Sequence, residues 1–121
     1  TEINTSTSTN PMADVKVTTN IQDGQTISSP LKIVGQARGG WFFEASFPIV
    51  VVDWDGKIIG QGQAKAKGEW MTTNFVPFTA DIAFKVDKNA PKKNGSIILK
   101  KDNPSGVSSR DEAIEIPVMF Q

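Results

Sequence analysis

Alternation of apolar and polar residues dominates the chain and predicts β-strands, and no stretch shows the 3.6-residue period of a helix. The longest apolar run, residues 49–52, is short and rich in β-branched residues, which favours a buried strand. Asp55-Gly56 closes this stretch, and the pair tolerates the positive φ angles of a two-residue hairpin turn. We therefore predict a central strand at about residues 43–54, followed by a reversal of the chain.

Seven stretches in all carry a strand pattern, and each is bounded by turn-forming residues. They lie at about residues 14–19, 31–37, 43–54, 57–66, 78–86, 96–101 and 114–120. Period-two alternation is typical of strands with one face in a core and the other toward water. Seven short antiparallel strands in roughly 100 residues predict an all-β fold, an immunoglobulin-like β-sandwich.

Two prolines conflict with the simplest form of this sheet, because proline lacks the N–H group that a ladder uses. Pro117 predicts that the last strand is an edge strand or pairs on one side only at that position. Pro48 lies inside the predicted central strand, and we expect a β-bulge near it to bend the strand.

Length and composition indicate one domain with a short leading segment. The chain has 121 residues and no cysteine, and a domain of this size buries enough surface to fold without disulfides. Residues 1–12 are rich in Ser, Thr and Asn and nearly devoid of apolar side chains, which predicts a flexible linker. We assign residues 13–121 to the β-sandwich.

Charge and residue chemistry narrow the function classes. Basic and acidic residues number 13 each, so the chain lacks the basic excess that nucleic acid binding requires. It has no histidine and no cysteine, which excludes most catalytic triads and most zinc sites. No stretch approaches the roughly 18 apolar residues of a membrane-spanning helix. We predict no enzyme activity, no cofactor, no metal, no nucleic acid partner and no membrane insertion in this segment.

Two charged groups have simple structural interpretations. Asp53 and Asp55 flank Trp54, but a hairpin supplies too few oxygens for calcium, which takes about six to eight ligands. Three lysines, Lys88, Lys92 and Lys93, lie in a loop that we interpret as a solvated turn, and attraction to an anionic polymer is the alternative interpretation.

Short motifs follow one another in a specific order along about residues 14–120. They are Ser29-Pro30-Leu31 with Gly35, Trp41-Phe42-Phe43-Glu44-Ala45-Ser46-Phe47-Pro48, Asp55-Gly56, Gly68-Glu69-Trp70-Met71, Phe75-Val76-Pro77-Phe78, Lys101-Asp102-Asn103-Pro104-Ser105-Gly106 and Ala113-Ile114-Glu115-Ile116-Pro117-Val118. Together they resemble the immunoglobulin-like domain of bacterial spore germination proteins. That resemblance implies a non-catalytic accessory domain of secreted, lipid-anchored or envelope proteins, and it implies no ligand or catalytic residue.

Alternating strand directions would bring three loops, residues 38–42, 67–77 and 102–112, to one end of the sandwich. Immunoglobulin sandwiches commonly bind through such loops, and aromatic residues beside an arginine are typical of interface hot spots. The predicted binding residues are Arg38, Trp41, Phe42, Glu69, Trp70, Met71, Asp102, Asn103 and Arg110. The competing interpretation, in which loop tryptophans cover the end of the core, describes the more frequent arrangement.

These observations predict a non-catalytic protein-interaction or structural module of a bacterial secreted or cell-envelope protein, whose partner is a protein or a cell-wall component. One alternative is a carbohydrate-binding module that stacks sugars on Trp41, Trp54 or Trp70. A further alternative is a loop-based protease inhibitor, which the segment Arg38-Gly39-Gly40-Trp41 weakly suggests.

Overall fold

A computed structural model of the chain describes residues 17–101 and 113–121, and this part is almost entirely β-structure. Its strands are β1 (Val17–Thr19), β2 (Gln25–Ile27), β3 (Leu31–Arg38), β4 (Ser46–Val52), β5 (Ile58–Ala66), β6 (Phe75–Ile82), β7 (Asn94–Lys100) and β8 (Ala113–Phe120). One 3-10 turn, Gly39–Trp41, follows β3. None of the helical structure within these two ranges is long and apolar enough to cross a membrane. The all-β prediction is confirmed.

The strands form one curled sheet in the order β1-β3-β6-β5-β4-β7-β8-β2. Adjacent strands run antiparallel, except for the parallel pair of β2 and β8. Matched by their order along the chain, without the short β2, the strands correspond to those of an immunoglobulin sandwich. Strands β1, β3, β6 and β5 take the places of A, B, E and D in one sheet, and β4, β7 and β8 take those of C, F and G in the other. The predicted immunoglobulin-like architecture is therefore confirmed.

The core lies between the two halves of the curled sheet, because both halves contribute to a single cluster of buried side chains. Its fully buried aliphatic residues include Ile33, Ile49, Ile82, Ile97 and Leu99. Ile33 of β3 and Ile82 of β6 lie at the alternating positions that the sequence pattern indicated. Ile49 of β4 and Ile97 and Leu99 of β7 come from strands in which consecutive residues are buried.

Strand β2 is an addition to the seven predicted strands. It has three residues, of which only Ile27 is buried. A hydrogen bond just before its first residue fixes the start of β2 against β8: the Gly24 N–H donates to the carbonyl of Pro117 at 2.7 Å. Such a short strand shows no detectable period, and it forms only because β8, distant in sequence, offers it an edge.

Strand β8 is not an edge strand, because it pairs with β7 on one side and with β2 on the other. Pairing with β2 begins at Val118, one residue after Pro117. The prediction of an edge strand is therefore wrong, and the alternative, pairing on one side only at this proline, agrees with the register.

The bulge predicted near Pro48 is also wrong in position. Pro48 lies opposite Gln63 of β5, whereas pairing of β4 with β7 begins one residue later, at Ile49. Pro48 therefore needs a ladder partner on one side only, which removes the reason for a bulge there. The register shift of this strand lies between Val51 and Val52.

Other strand boundaries also differ from the predictions, although the predicted start of the first strand, at residue 14, lies outside the described residues. Strand β7 begins at Asn94, two residues before its predicted start. Strand β6 begins at Phe75 and ends at Ile82, because Phe84 forms no more than an isolated bridge with Gly60. Strand β4 begins at Ser46, so residues 43–45, which we assigned to the central strand, lie outside it.

Candidate functional site

The strand registers define two ends of the sandwich. Strands β3, β5 and β7 finish, and β4, β6 and β8 start, at one end, which we call the loop end. It carries residues 39–45 and 67–74. The opposite end, which we call the hairpin end, carries residues 53–57 between β4 and β5, and residues 83–93 between β6 and β7.

At the loop end, the first two predicted loops contact each other through their backbones. The Gly39 N–H donates to the carbonyl of Asn74 at 3.1 Å. A side chain at Gly39 would collide with the carbonyl oxygens of Thr72 and Trp70, so only glycine allows the two segments to approach so closely. The two loops therefore form one continuous surface.

Trp41 and Phe42 point into the core at this end rather than into solvent. Trp41 is 2% exposed, and its ring meets the ring of Phe47 edge to face with centroids 5.7 Å apart. Phe42 and Phe78 contact the same Phe47 ring in the same manner, each at 5.2 Å. The interpretation that loop aromatics cover the core therefore describes these two residues, which cannot contact a partner directly in this conformation.

Residues 43–46 form a tight hairpin directly after these buried aromatics. The N–H of Phe43 donates to the carbonyl of Ser46 at 2.9 Å, and the N–H of Ser46 donates back at 3.2 Å. Glu44 and Ala45, at the two central positions, have φ angles of 50° and 67°. This left-handed conformation is typical of glycine and asparagine in such turns and costs other residues about 1 kcal/mol or more each. The Ala66 N–H, which donates to the Ala45 carbonyl at 2.8 Å, holds the turn against β5.

The turn leaves Phe43 in solvent, 41% exposed, and Met71 of the second loop is 73% exposed. Arg38, at the end of β3, stacks on an aromatic ring, since its guanidinium carbon is 3.9 Å from the centroid of the Phe75 ring. Trp70 is half-buried and packs against the core. We call these five residues, Arg38, Phe43, Trp70, Met71 and Phe75, the loop-end surface.

The predicted site residues thus divide into three groups. Arg38, Trp70, Met71 and the exposed Glu69 lie at the surface of the loop end, and the Glu69 carboxylate accepts the N–H of Met71 at 2.9 Å. Trp41 and Phe42 lie beneath that surface. Asp102, Asn103 and Arg110 lie outside the described residues.

Sequence reasoning placed Phe75 in the second loop but missed Phe43 as a surface residue. The run Trp41-Phe42-Phe43 contains three consecutive aromatics, so no period indicates which of them faces out. The exposure of Phe43 depends on the positive φ angles of the two residues after it, and those residues carry no glycine or asparagine signal.

A second candidate surface lies at the hairpin end, where an open groove of about 900 Å³ separates the β4–β5 hairpin from the segment after β6. Its lining residues are Asp53, Trp54, Asp55, Lys57, Ile58, Ile59 and the continuous segment of residues 85–91. Trp54 is 40% exposed and Ile58 is 53% exposed. The Lys92 ammonium lies 6.0 Å from the centroid of the Trp54 ring. We call this feature the Trp54 groove.

The carboxylate of Asp53 stabilises the hairpin turn. One carboxylate oxygen of Asp53 accepts the N–H groups of Asp55 and Lys57, both at 2.9 Å, which closes the turn that carries Trp54. Within residues 17–101 and 113–121, the structure shows no cluster of three or more His, Cys, Asp or Glu side chains that could hold a metal ion.

The fold and strand order are those of an immunoglobulin-like domain, and a comparison with protein families agrees. The chain matches the model of the immunoglobulin-like domain of bacterial spore germination over residues 15–108. Because the match covers well over half of the 121 residues, the protein belongs to this family, as its motifs indicated. Comparisons with curated proteins and with solved structures gave no significant match. Family membership indicates a germination-related module of a generally non-catalytic kind.

Proposed function

We propose that this domain is a protein-interaction module of a bacterial cell-envelope or secreted protein, and that it docks to a protein partner through the loop-end surface. The observation that carries the proposal is the exposure of Phe43 and Met71 on neighbouring loops at one end of the sandwich. Large apolar side chains held in solvent on a rigid scaffold are typical of interaction sites. An arginine stacked on an aromatic ring, as Arg38 is on Phe75, is typical of an interface hot spot.

The buried layer beneath this surface supports the same function. Trp41 and Phe42 fix the first loop to the Phe47 ring, and the Gly39–Asn74 hydrogen bond ties the two loops together. A surface that is already ordered loses little conformational entropy when a partner binds, so more of the contact energy appears as affinity. In this proposal the buried aromatics act by positioning the exposed ones.

The strained turn after Phe42 gives further support. Glu44 and Ala45 retain positive φ angles although glycine would relieve the strain at either position. Such strain concentrates at functional sites, where the conformation matters more than the free energy that it costs. Here the conformation is the one that turns Phe43 outward.

The conformation of residues 38–41 does not favour the protease-inhibitor alternative, which rested on this segment. Residues 38–41 do not form an extended, exposed loop, because Gly39–Trp41 is a 3-10 turn in which Gly39 and Trp41 are buried. An inhibitory segment must enter the cleft of a protease, whereas in this one Gly39 packs against the second loop and Trp41 lies in the core.

Site-specific photo-crosslinking in the producing bacterium tests the proposal. A photoreactive phenylalanine analogue replaces Phe43 or Met71 in the full protein, and the control replaces Met119, an exposed apolar residue of β8. We expect positions 43 and 71 to yield the same crosslinked protein in the envelope or secreted fraction, and position 119 to yield none. Crosslinking to one protein with equal yield from all three positions, or none from positions 43 and 71, would overturn it. Recovery of the protein only from the cytosol would overturn the location.

A further inference from the structure

We infer that the Trp54 groove is a second binding site, specific for an acidic glycan, at the end of the domain opposite the proposed protein-docking surface. It differs from that surface in its residues, its chemistry and its class of ligand, so either site can exist without the other. Three properties of the groove support this inference: the exposure of the indole, the polar side chains around it and the balance of charge along its walls.

The three tryptophans of the chain have three different environments. Trp41 is buried, Trp70 is half-buried against the core, and Trp54 is exposed. Trp54 contributes less to the stability of the fold than the buried Trp41, because 40% of it stays exposed to water. The Asp53 turn nevertheless holds Trp54 at the mouth of the groove, with exposed Ile58 on the adjoining strand.

The face of an indole ring carries a partial negative charge, whereas the C–H hydrogens on the flat side of a pyranose ring are slightly positive. A sugar ring therefore stacks on an exposed indole with both apolar burial and electrostatic attraction. The groove surrounds Trp54 with polar side chains, among them Asp55, Lys88 and Asn89, that can exchange hydrogen bonds with hydroxyl groups. An apolar platform ringed by a few polar groups is typical of small-molecule sites.

The charges around the groove favour a negatively charged sugar. Lys57, Lys85 and Lys88 line it together with three aspartates, and two more lysines, Lys92 and Lys93, stand beside it. Two of the aspartates are engaged by backbone N–H groups: Asp53 in the hairpin turn and Asp87, which accepts the N–H of Asn89 at 2.9 Å. The surplus of lysine ammonium groups gives the groove a net positive field that suits carboxylates on a glycan.

The same surplus is too small for a nucleic acid. A nucleic acid backbone is bound by a stripe of basic residues that displaces many of its counterions. This protein as a whole has a formal net charge of zero. A ligand with widely spaced negative charges and flat apolar faces between them matches one indole and a few lysines better. An acidic glycan has this chemistry.

Binding titrations with the full chain test the inference. The probe is glycan strands of alternating N-acetylglucosamine and N-acetylmuramic acid with their stem peptides removed, so that the lactyl carboxylates are free. We expect Trp54→Ala to weaken binding about tenfold or more, because it removes the stacking platform. Lys92→Gln should weaken it severalfold and reduce its dependence on salt. Met71→Ala, at the other end, should bind as the parent does.

Two comparison ligands distinguish a site for an acidic glycan from non-specific electrostatic binding and from binding of uncharged sugars. Chitin oligosaccharides carry the same rings without carboxylates, and we expect them to bind severalfold more weakly than the glycan strands. Poly-glutamate carries carboxylates without sugar rings and should not depend on Trp54. Equal binding of the glycan strands by Trp54→Ala and by the parent protein, or no binding at millimolar sugar, would overturn the inference. Binding of poly-glutamate as tight as that of the strands would do the same. Since Trp54 is exposed, the thermal unfolding midpoint of the variant verifies that it folds.

Discussion

The two ends of this sandwich place the same residue type in opposite environments. Trp41 lies just before β4 and is buried, whereas Trp54 lies just after β4 and is exposed. The difference comes from what each turn packs against. The 3-10 turn that carries Trp41 meets a second loop, while the hairpin that carries Trp54 closes on itself through the Asp53 carboxylate. A tryptophan near the end of a strand is thus a core residue or a surface residue according to its neighbouring loops.

The largest expected effect is the difference in unfolding free energy lost when each of these two tryptophans is replaced. Trp41→Ala should lower the free energy of unfolding by about 3 to 5 kcal/mol, because it leaves a cavity beside Phe47. Trp54→Ala should lower it by less, about 1 to 2 kcal/mol, because Trp54 is 40% exposed and its removal leaves no closed cavity. Urea denaturation of the two variants measures the difference, and equal losses would contradict the contrast between the ends. Trp41→Phe, which retains most of the ring volume, serves as the conservative control.

A smaller effect concerns the contact between the two loops at the loop end. Gly39→Ala should destabilise the protein by about 1 to 3 kcal/mol, because the new methyl group meets the carbonyl oxygens of Thr72 and Trp70. The adjacent Gly40 has open space around its Cα, so Gly40→Ala should change stability by no more than about 0.5 kcal/mol. Denaturation midpoints of this pair provide the measurement. If Gly39→Ala were as harmless as its neighbour, the close approach of the loops would be refuted.

The smallest expected effect is a gain in stability, and it follows from relief of the strained turn at residues 44–45. Ala45→Gly should stabilise the protein by about 0.5 to 1 kcal/mol, because glycine adopts the positive φ angle without steric cost. The matched control is Ala83→Gly, at an exposed position that is not among the residues with positive φ, where glycine should cost a similar amount. Thermal unfolding compares the two variants. A loss at position 45 equal to that at position 83 would mean that the turn is unstrained.

Much of the fold was predictable because it depends on patterns repeated along each strand. The alternation in residues 114–120 and 31–37 placed β8 and β3 correctly to within one residue at each end. The pair Asp55-Gly56 marked the β4–β5 hairpin, and Gly56 has a positive φ angle of 79°. The predicted two-residue turn is wrong, however: the Asp53 N–H donates to the Lys57 carbonyl at 2.9 Å across a three-residue loop, and Asp55 is not among the residues with positive φ. Local signals of this kind are visible in a single sequence.

Features that depend on distant partners were not predictable. Strand β2 exists because β8 offers an edge, and Pro48 fits because β7 begins to pair one residue later. The turn at Glu44-Ala45 has no glycine or asparagine, so surrounding contacts, among them the Ala66 N–H, impose its shape. For the candidate site, alternating strand directions were enough to predict that the first two loops lie at the same end. The exposure of each aromatic residue did not, because it depends on the packing of both loops.

The most direct test of the contrast between the two ends is the accessibility of single tryptophans to acrylamide. Three variants each keep one tryptophan and carry phenylalanine at the other two positions. Quenching of fluorescence should be strongest for the variant that keeps Trp54, weaker for the one that keeps Trp70, and weakest for the one that keeps Trp41. If Trp41 were quenched as efficiently as Trp54 in folded protein, the loop end would be open rather than covered, which would contradict the contrast between the two ends.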